Sequence, residues 1–174
     1  MVARDLAPGL LRRLAALCRR RRLRLLISGD GRTALRLGAG LHLPDRRPVR
    51  HLLPFLLARR PGTLLSAAAH GRRGMSRAWS CGADAILLSP VFPTASHPGA
   101  RGLGPLRWAA LARRAGLPAI ALGGMDPLRA RRLPPIAAGW AAIDGLACVD
   151  RATVSRGCRA RAARAMDDAT RPNA

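Results

Sequence analysis

Two periods alternate along the apolar positions of this chain. Within residues 6–22, Leu10, Leu11, Leu14, Leu17 and Cys18 recur at helical spacing with arginines on the other face, which predicts an amphipathic helix with no strand before it. Residues 23–27 then form a short apolar run, closed by the breaker cluster Ser28-Gly29-Asp30-Gly31, as expected of a strand entering a turn. The unit repeats. Strands are predicted at residues 40–43, 63–67, 85–88, 118–122 and 140–143, with helices at 33–38, 50–59, 72–80, 106–114 and 127–133 and a last helix within 153–166. Residues 85–88 are apolar on both faces, which suits a parallel strand covered on both sides. Six strand–turn–helix units with short connections call for parallel strands under a layer of helices. An open doubly wound sheet and an incomplete barrel share that pattern. The Pro/Gly-rich loop over residues 89–105 is of a length that usually carries function.

Composition narrows this further. The 174 residues suffice for one domain, expected over 1–166 with an unstructured tail at 167–174, and fall short of a full eight-unit barrel. The formal charge is +22, and every one of the 31 basic residues is Arg; Lys, Glu, Gln and Tyr are absent. An Arg-rich nucleic-acid binder is therefore an alternative to weigh. The arginines are spread over nearly every predicted helix, however, and three Trp and two Phe offer few stacking platforms, so solvated faces are the expectation. No uncharged run reaches membrane-spanning length, and the opening Met1-Val2-Ala3-Arg4-Asp5 has no apolar core, so a cytoplasmic location is expected. Cys18, Cys81, Cys148 and Cys158 show no C-x-x-C spacing, which leaves buried or incidental thiols. Trp79, Trp108 and Trp140 are expected in the core.

Residues 82–94, Gly-Ala-Asp-Ala-Ile-Leu-Leu-Ser-Pro-Val-Phe-Pro-Thr, resemble the sixth strand and following loop of thiamine-phosphate synthases. Ala119-Ile120-Ala121-Leu122-Gly123-Gly124-Met125, reached through Gly116-Leu117-Pro118, resembles their seventh strand and phosphate loop. Weaker matches at residues 25–30, 38–43, 66–70 and 139–144 extend the resemblance to the thiamine-phosphate synthase/TenI family over most of residues 10–165. It implies an incomplete TIM (β/α)8-type barrel of about six parallel βα units, with the family's first two strands and first helix missing. One of those strands would carry the family's Gln-x-Arg-x-Lys grip on a pyrimidine pyrophosphate.

The implied activity joins a pyrimidine pyrophosphate to a thiazole phosphate and releases pyrophosphate with the help of Mg²⁺. Gly123 and Gly124 end a strand, where backbone amides approach an anion. Thr94, Ser96 and His97 match two hydroxyl residues and a lysine that the family presents to substrate, and Arg101 is a candidate replacement for that lysine. The metal ligands reduce to Asp30, after the third strand of the family, and Asp45, displaced from the usual position, which Arg47 occupies. Serines of the family fall on Ala68 and Asp144, and the TenI histidine falls on Pro90. His42 and His70 are each either a general base or a packed residue. The expected partners are small phosphorylated substrates, with no membrane and no nucleic acid, and exposed sheet edges point to a homo-oligomer. A non-catalytic protein that binds a thiazole phosphate or a similar small anion is the second reading.

Overall fold

The computed structural model describes residues 1–94 and 102–143. In chain order it places β1 (Val2–Ala3), α1 (Pro8–Arg20), β2 (Leu26–Ser28), α2 (Gly31–Leu37), β3 (Gly40–Leu43), α3 (Leu52–Ala58), β4 (Leu65–Ala69), α4 (Arg72–Ser80), β5 (Ala85–Leu88), α5 (Gly104–Arg114), β6 (Ala119–Ala121), α6 (Pro127–Ala130) and β7 (Ala137–Trp140). The strands form one parallel sheet in the order β1-β2-β3-β4-β5-β6-β7. Each strand pairs with its predecessor, so all seven C-terminal ends lie on one side, as in an incomplete α/β barrel.

Two expectations are corrected. A strand does stand before the first helix: Val2 and Ala3 pair in parallel with Leu26 and Ile27, which makes seven strands among the described residues where about six units were expected. Two residues are too few to display a period, so only the partner strand defines them as a strand. The final strand begins three residues earlier than predicted, at Ala137, and leaves Ile143 exposed beyond its end.

Local chemistry accounts for the elements. Helix α1 starts with Pro8 in its first turn, where a missing N–H costs nothing, and ends on Arg19 and Arg20, which complement the partial negative charge of its carbonyl end. Helix α2 is opened by the Asp30 carboxylate, which accepts from the Arg32 and Thr33 amides, and closed by Gly38 in the left-handed conformation. The core lies on both faces of the sheet: Leu41, Leu43, Leu65, Ile86 and Leu88 are fully buried from the strands, as are Phe55 and Trp108 from the helices. Trp108 also donates from Nε1 to the Leu88 carbonyl at 3.0 Å, tying α5 to β5. Trp79 is not in the core. It is exposed, on α4 beside Gly116 in the turn that follows α5. Trp140 is half-buried. Cys18 is buried and Cys81 half-buried, while the predicted last helix, the tail, Cys148 and Cys158 lie outside the described residues.

Candidate functional site

A cleft of about 600 Å³ opens at the C-terminal ends of the strands. Arg4 enters it directly after β1; Pro44, Asp45, Arg46 and Arg47 after β3; His70 after β4; Pro93 and Thr94 after β5; and Gly123, Gly124 and Asp126 after β6. Side chains that are far apart in sequence meet there because parallel strands deliver all their exits to one rim.

The two glycines have φ of 92° and 60°, left-handed values that side chains resist. Each is also packed against the loop that follows β5. A Cβ on Gly123 would sit 2.7 Å from Pro90, and one on Gly124 would strike the Pro93 carbonyl and lie 2.9 Å from the Phe92 Cβ. Thr94 and the glycine pair therefore share one end of the strands and one cleft, the placement required for both to contact one anion. Among the described residues the amides of Gly123, Gly124 and Met125 donate to no protein acceptor. Arg129 from α6 folds back over this turn. It donates to the Gly124 carbonyl at 2.7 Å, lies 3.5 Å from Asp126 and stands 5.3 Å from the centroid of the Phe92 ring. Ser96, His97, Arg101 and Asp144 lie outside the described residues.

The acidic residues are already engaged. Asp30 is not among the residues lining the cleft; its carboxylate caps α2 and accepts from the Thr33 hydroxyl at 2.6 Å. Burial pulls this carboxyl upward, but the hydrogen bonds from Thr33 and Arg32 outweigh it and hold the group below the ordinary carboxylate range. Asp45 does line the cleft. It bonds Nδ1 of His70 at 2.6 Å, while Arg77 donates to the Pro44 and Asp45 carbonyls at 2.8 and 3.2 Å. Arg47 reaches Asp5 at 2.7 Å.

His42 sits on β3, buried, with Nδ1 2.9 Å from the Ser66 hydroxyl of the neighbouring strand. Burial, with the nearby charges of Arg4 and Arg77, lowers its pKa from 6.5 to about 4. The folded imidazole is therefore neutral where the unfolded one takes up a proton, so its contribution to stability is present above pH 6.5 and is lost as pH falls toward 4. Chemical denaturation at pH 7.5 and 4.5 is expected to show a loss on the order of 2 kcal/mol that His42→Gln removes. An equal loss in the variant would refute this assignment.

Arg4 escaped sequence reasoning, since a lone arginine in the first five residues has no motif spacing; its strand pairing with β2 is what aims it at the cleft.

The family model described as thiamine monophosphate synthase matches residues 6–149, most of the chain. The chain belongs to the thiamine monophosphate synthase family. A family relative from Aquifex aeolicus (strain VF5), "Putative thiamine-phosphate synthase 2", is 32% identical over 118 residues, covering 67% of this chain. The chain spans 61% of that curated relative's length. Among solved structures, a thiamine phosphate pyrophosphorylase from Pyrococcus furiosus superposes with a TM-score of 0.68 at 18% identity, over 98% of this chain and 83% of the other. One from Bacteroides thetaiotaomicron gives 0.50 at 15% identity, over 97% and 82%. These two show the shared fold of this thiamine monophosphate synthase family member. No helix among its described residues is long and apolar enough to cross a membrane.

Proposed function

We propose that this cleft takes small phosphorylated substrates of thiamine biosynthesis, in a reaction that joins a pyrimidine pyrophosphate to a thiazole phosphate with release of pyrophosphate. The observation that carries the reading is the run of amides at Gly123, Gly124 and Met125, without protein acceptors among the described residues and beside Thr94. Backbone N–H groups converging on one point hold phosphoryl oxygens without a side chain and without reorganisation. Thr94 supplies a hydroxyl to the same group, with Ser96, His97 and Arg101 assigned to it by resemblance. Arg4 enters the same cleft from the exit of β1 and adds a permanent positive charge for the polyphosphate. Departure of pyrophosphate leaves positive charge on the pyrimidine fragment, so its bond is weakened by groups that stabilise the leaving oxygens.

Mg²⁺ belongs to the reaction that the resemblance implies, and the carboxylates here do not fit it. Asp30 is turned to a helix cap and Asp45 is bound by His70, whereas Mg²⁺ demands near-octahedral oxygen ligation. Among the described residues no group of three His, Cys, Asp or Glu is placed to hold a metal ion. No step is assigned to it. A location in the cytoplasm and self-association through β1 and β7, the terminal strands of the sheet among the described residues, complete the proposal.

A second reading, binding without turnover, is favoured by the replacement of reactive positions by Ala68, Pro90 and Arg47, all of which line the cleft. Incubation with both substrates, followed by chromatography and by calorimetric titration with the thiazole phosphate, separates the two. Condensed product is expected. Saturable binding without product establishes the second reading, and absence of both removes the pocket assignment altogether.

A further inference from the structure

We propose that a polyphosphate anion in this cleft is neutralised by guanidinium groups, those of Arg4, Arg47 and Arg129, and binds without Mg²⁺. The inference rests on the phosphate-binding reading above and concerns how that site meets its charge. Two observations carry it.

The first is the state of the acidic groups. Only Asp45 and Asp126 bring carboxylates to the cleft among the described residues. Asp45 has one oxygen 2.6 Å from His70 and the other 3.9 Å from Arg77. Asp126 accepts from the Arg129 amide at 2.7 Å as the cap of α6, and its other oxygen lies 3.5 Å from the Arg129 side chain. Each carboxylate thus has one oxygen hydrogen-bonded to nitrogen and the other within ion-pair distance of an arginine, and a hard cation would have to compete with these partners.

The second is the placement of the cations. Arg4, Arg47 and Arg129 come from the exits of β1, β3 and β6, so they surround the cleft instead of forming one patch. Arg4 makes no hydrogen bond or ion pair with another described residue. Among the described residues Arg47 pairs with Asp5, in an ion pair exposed enough to exchange for a better anion. Arg129 is fixed in place by the Gly124 carbonyl and the Phe92 ring, directly over the turn whose amides donate to no acceptor among the described residues. A guanidinium stays charged at every working pH and presents a fork that matches two phosphate oxygens, so it replaces the charge of a metal ion without its ligand geometry.

Mg²⁺ in solution then becomes a competitor, because it removes charge from the anion that the arginines recognise. Calorimetric titration of the full chain with inorganic pyrophosphate, in EDTA and in excess MgCl₂ at equal ionic strength, tests this. Saturable binding is expected in EDTA, weakened several-fold by Mg²⁺. Arg4→Met and Arg129→Met are expected to weaken binding in EDTA at least tenfold, and Arg113→Met on α5, outside the cleft, to leave it unchanged; circular dichroism verifies that each variant folds. Binding that requires Mg²⁺ would overturn the inference while leaving the phosphate pocket standing, as would wild-type affinity in Arg4→Met and Arg129→Met. Silence in both buffers would overturn the pocket reading as well.

Discussion

Gly124→Ala is expected to abolish measurable pyrophosphate binding by the cleft and to destabilise the fold by roughly 3 kcal/mol or more. Two costs add. A side chain at φ 60° is strained by itself, on the order of 1 kcal/mol, and the new methyl strikes the Pro93 carbonyl and crowds Phe92, both part of a backbone that cannot yield as a flexible side chain does. The turn must move away from the loop that follows β5, which separates the amides of residues 123–125 from Thr94 and shifts the carbonyl that anchors Arg129. Gly38→Ala isolates the first cost: φ is 59°, yet nothing lies within 4 Å of the added methyl, so a loss of about 1 kcal/mol with unchanged anion binding is expected. Urea denaturation and pyrophosphate titration of the two variants provide the measurement. Equal losses in both would show that the close packing of the glycine turn against residues 92–93 is not what holds the site.

The largest stability effect outside the site is expected at Trp108. Trp108→Ala deletes a fully buried side chain between α5 and β5, at a cost of roughly 3–5 kcal/mol for the cavity and lost transfer energy. It also leaves the buried Leu88 carbonyl without the indole donor, although that carbonyl keeps the Leu122 amide at 3.2 Å. For a chain of this size each kcal/mol lowers the melting temperature by about 2–4 °C, so a drop of roughly 10 °C or more is expected in a thermal scan. Trp79→Ala, at an exposed position, serves as the comparison and is expected to change stability by less than about 1 kcal/mol. A small effect at Trp108 would mean that α5 is not a structural support of β5.

The contrast between these tryptophans shows where sequence reasoning stops. Both fall in predicted helices with apolar neighbours, and composition assigns both to the core. Which one is buried depends on whether another element covers that face of the helix, a tertiary property. The strands are similar. Gly40–Leu43 and Ala85–Leu88 are legible to the residue because glycine or a turn marks one end and an unbroken apolar run fills the rest. Val2–Ala3 has neither signal and exists through its pairing with Leu26 and Ile27.

For the candidate site, the sequence alone determined the strand and helix units, their parallel arrangement and the glycine pair after a strand, because local period and breakers are written in adjacent residues; the company of that pair with Thr94 was implied by the family resemblance. The tertiary structure decided which charges meet. It brought Arg4 to the cleft, turned Asp30 to a helix cap and joined Asp45 to His70, since curling of the sheet sets distances between residues tens of positions apart that no local pattern encodes.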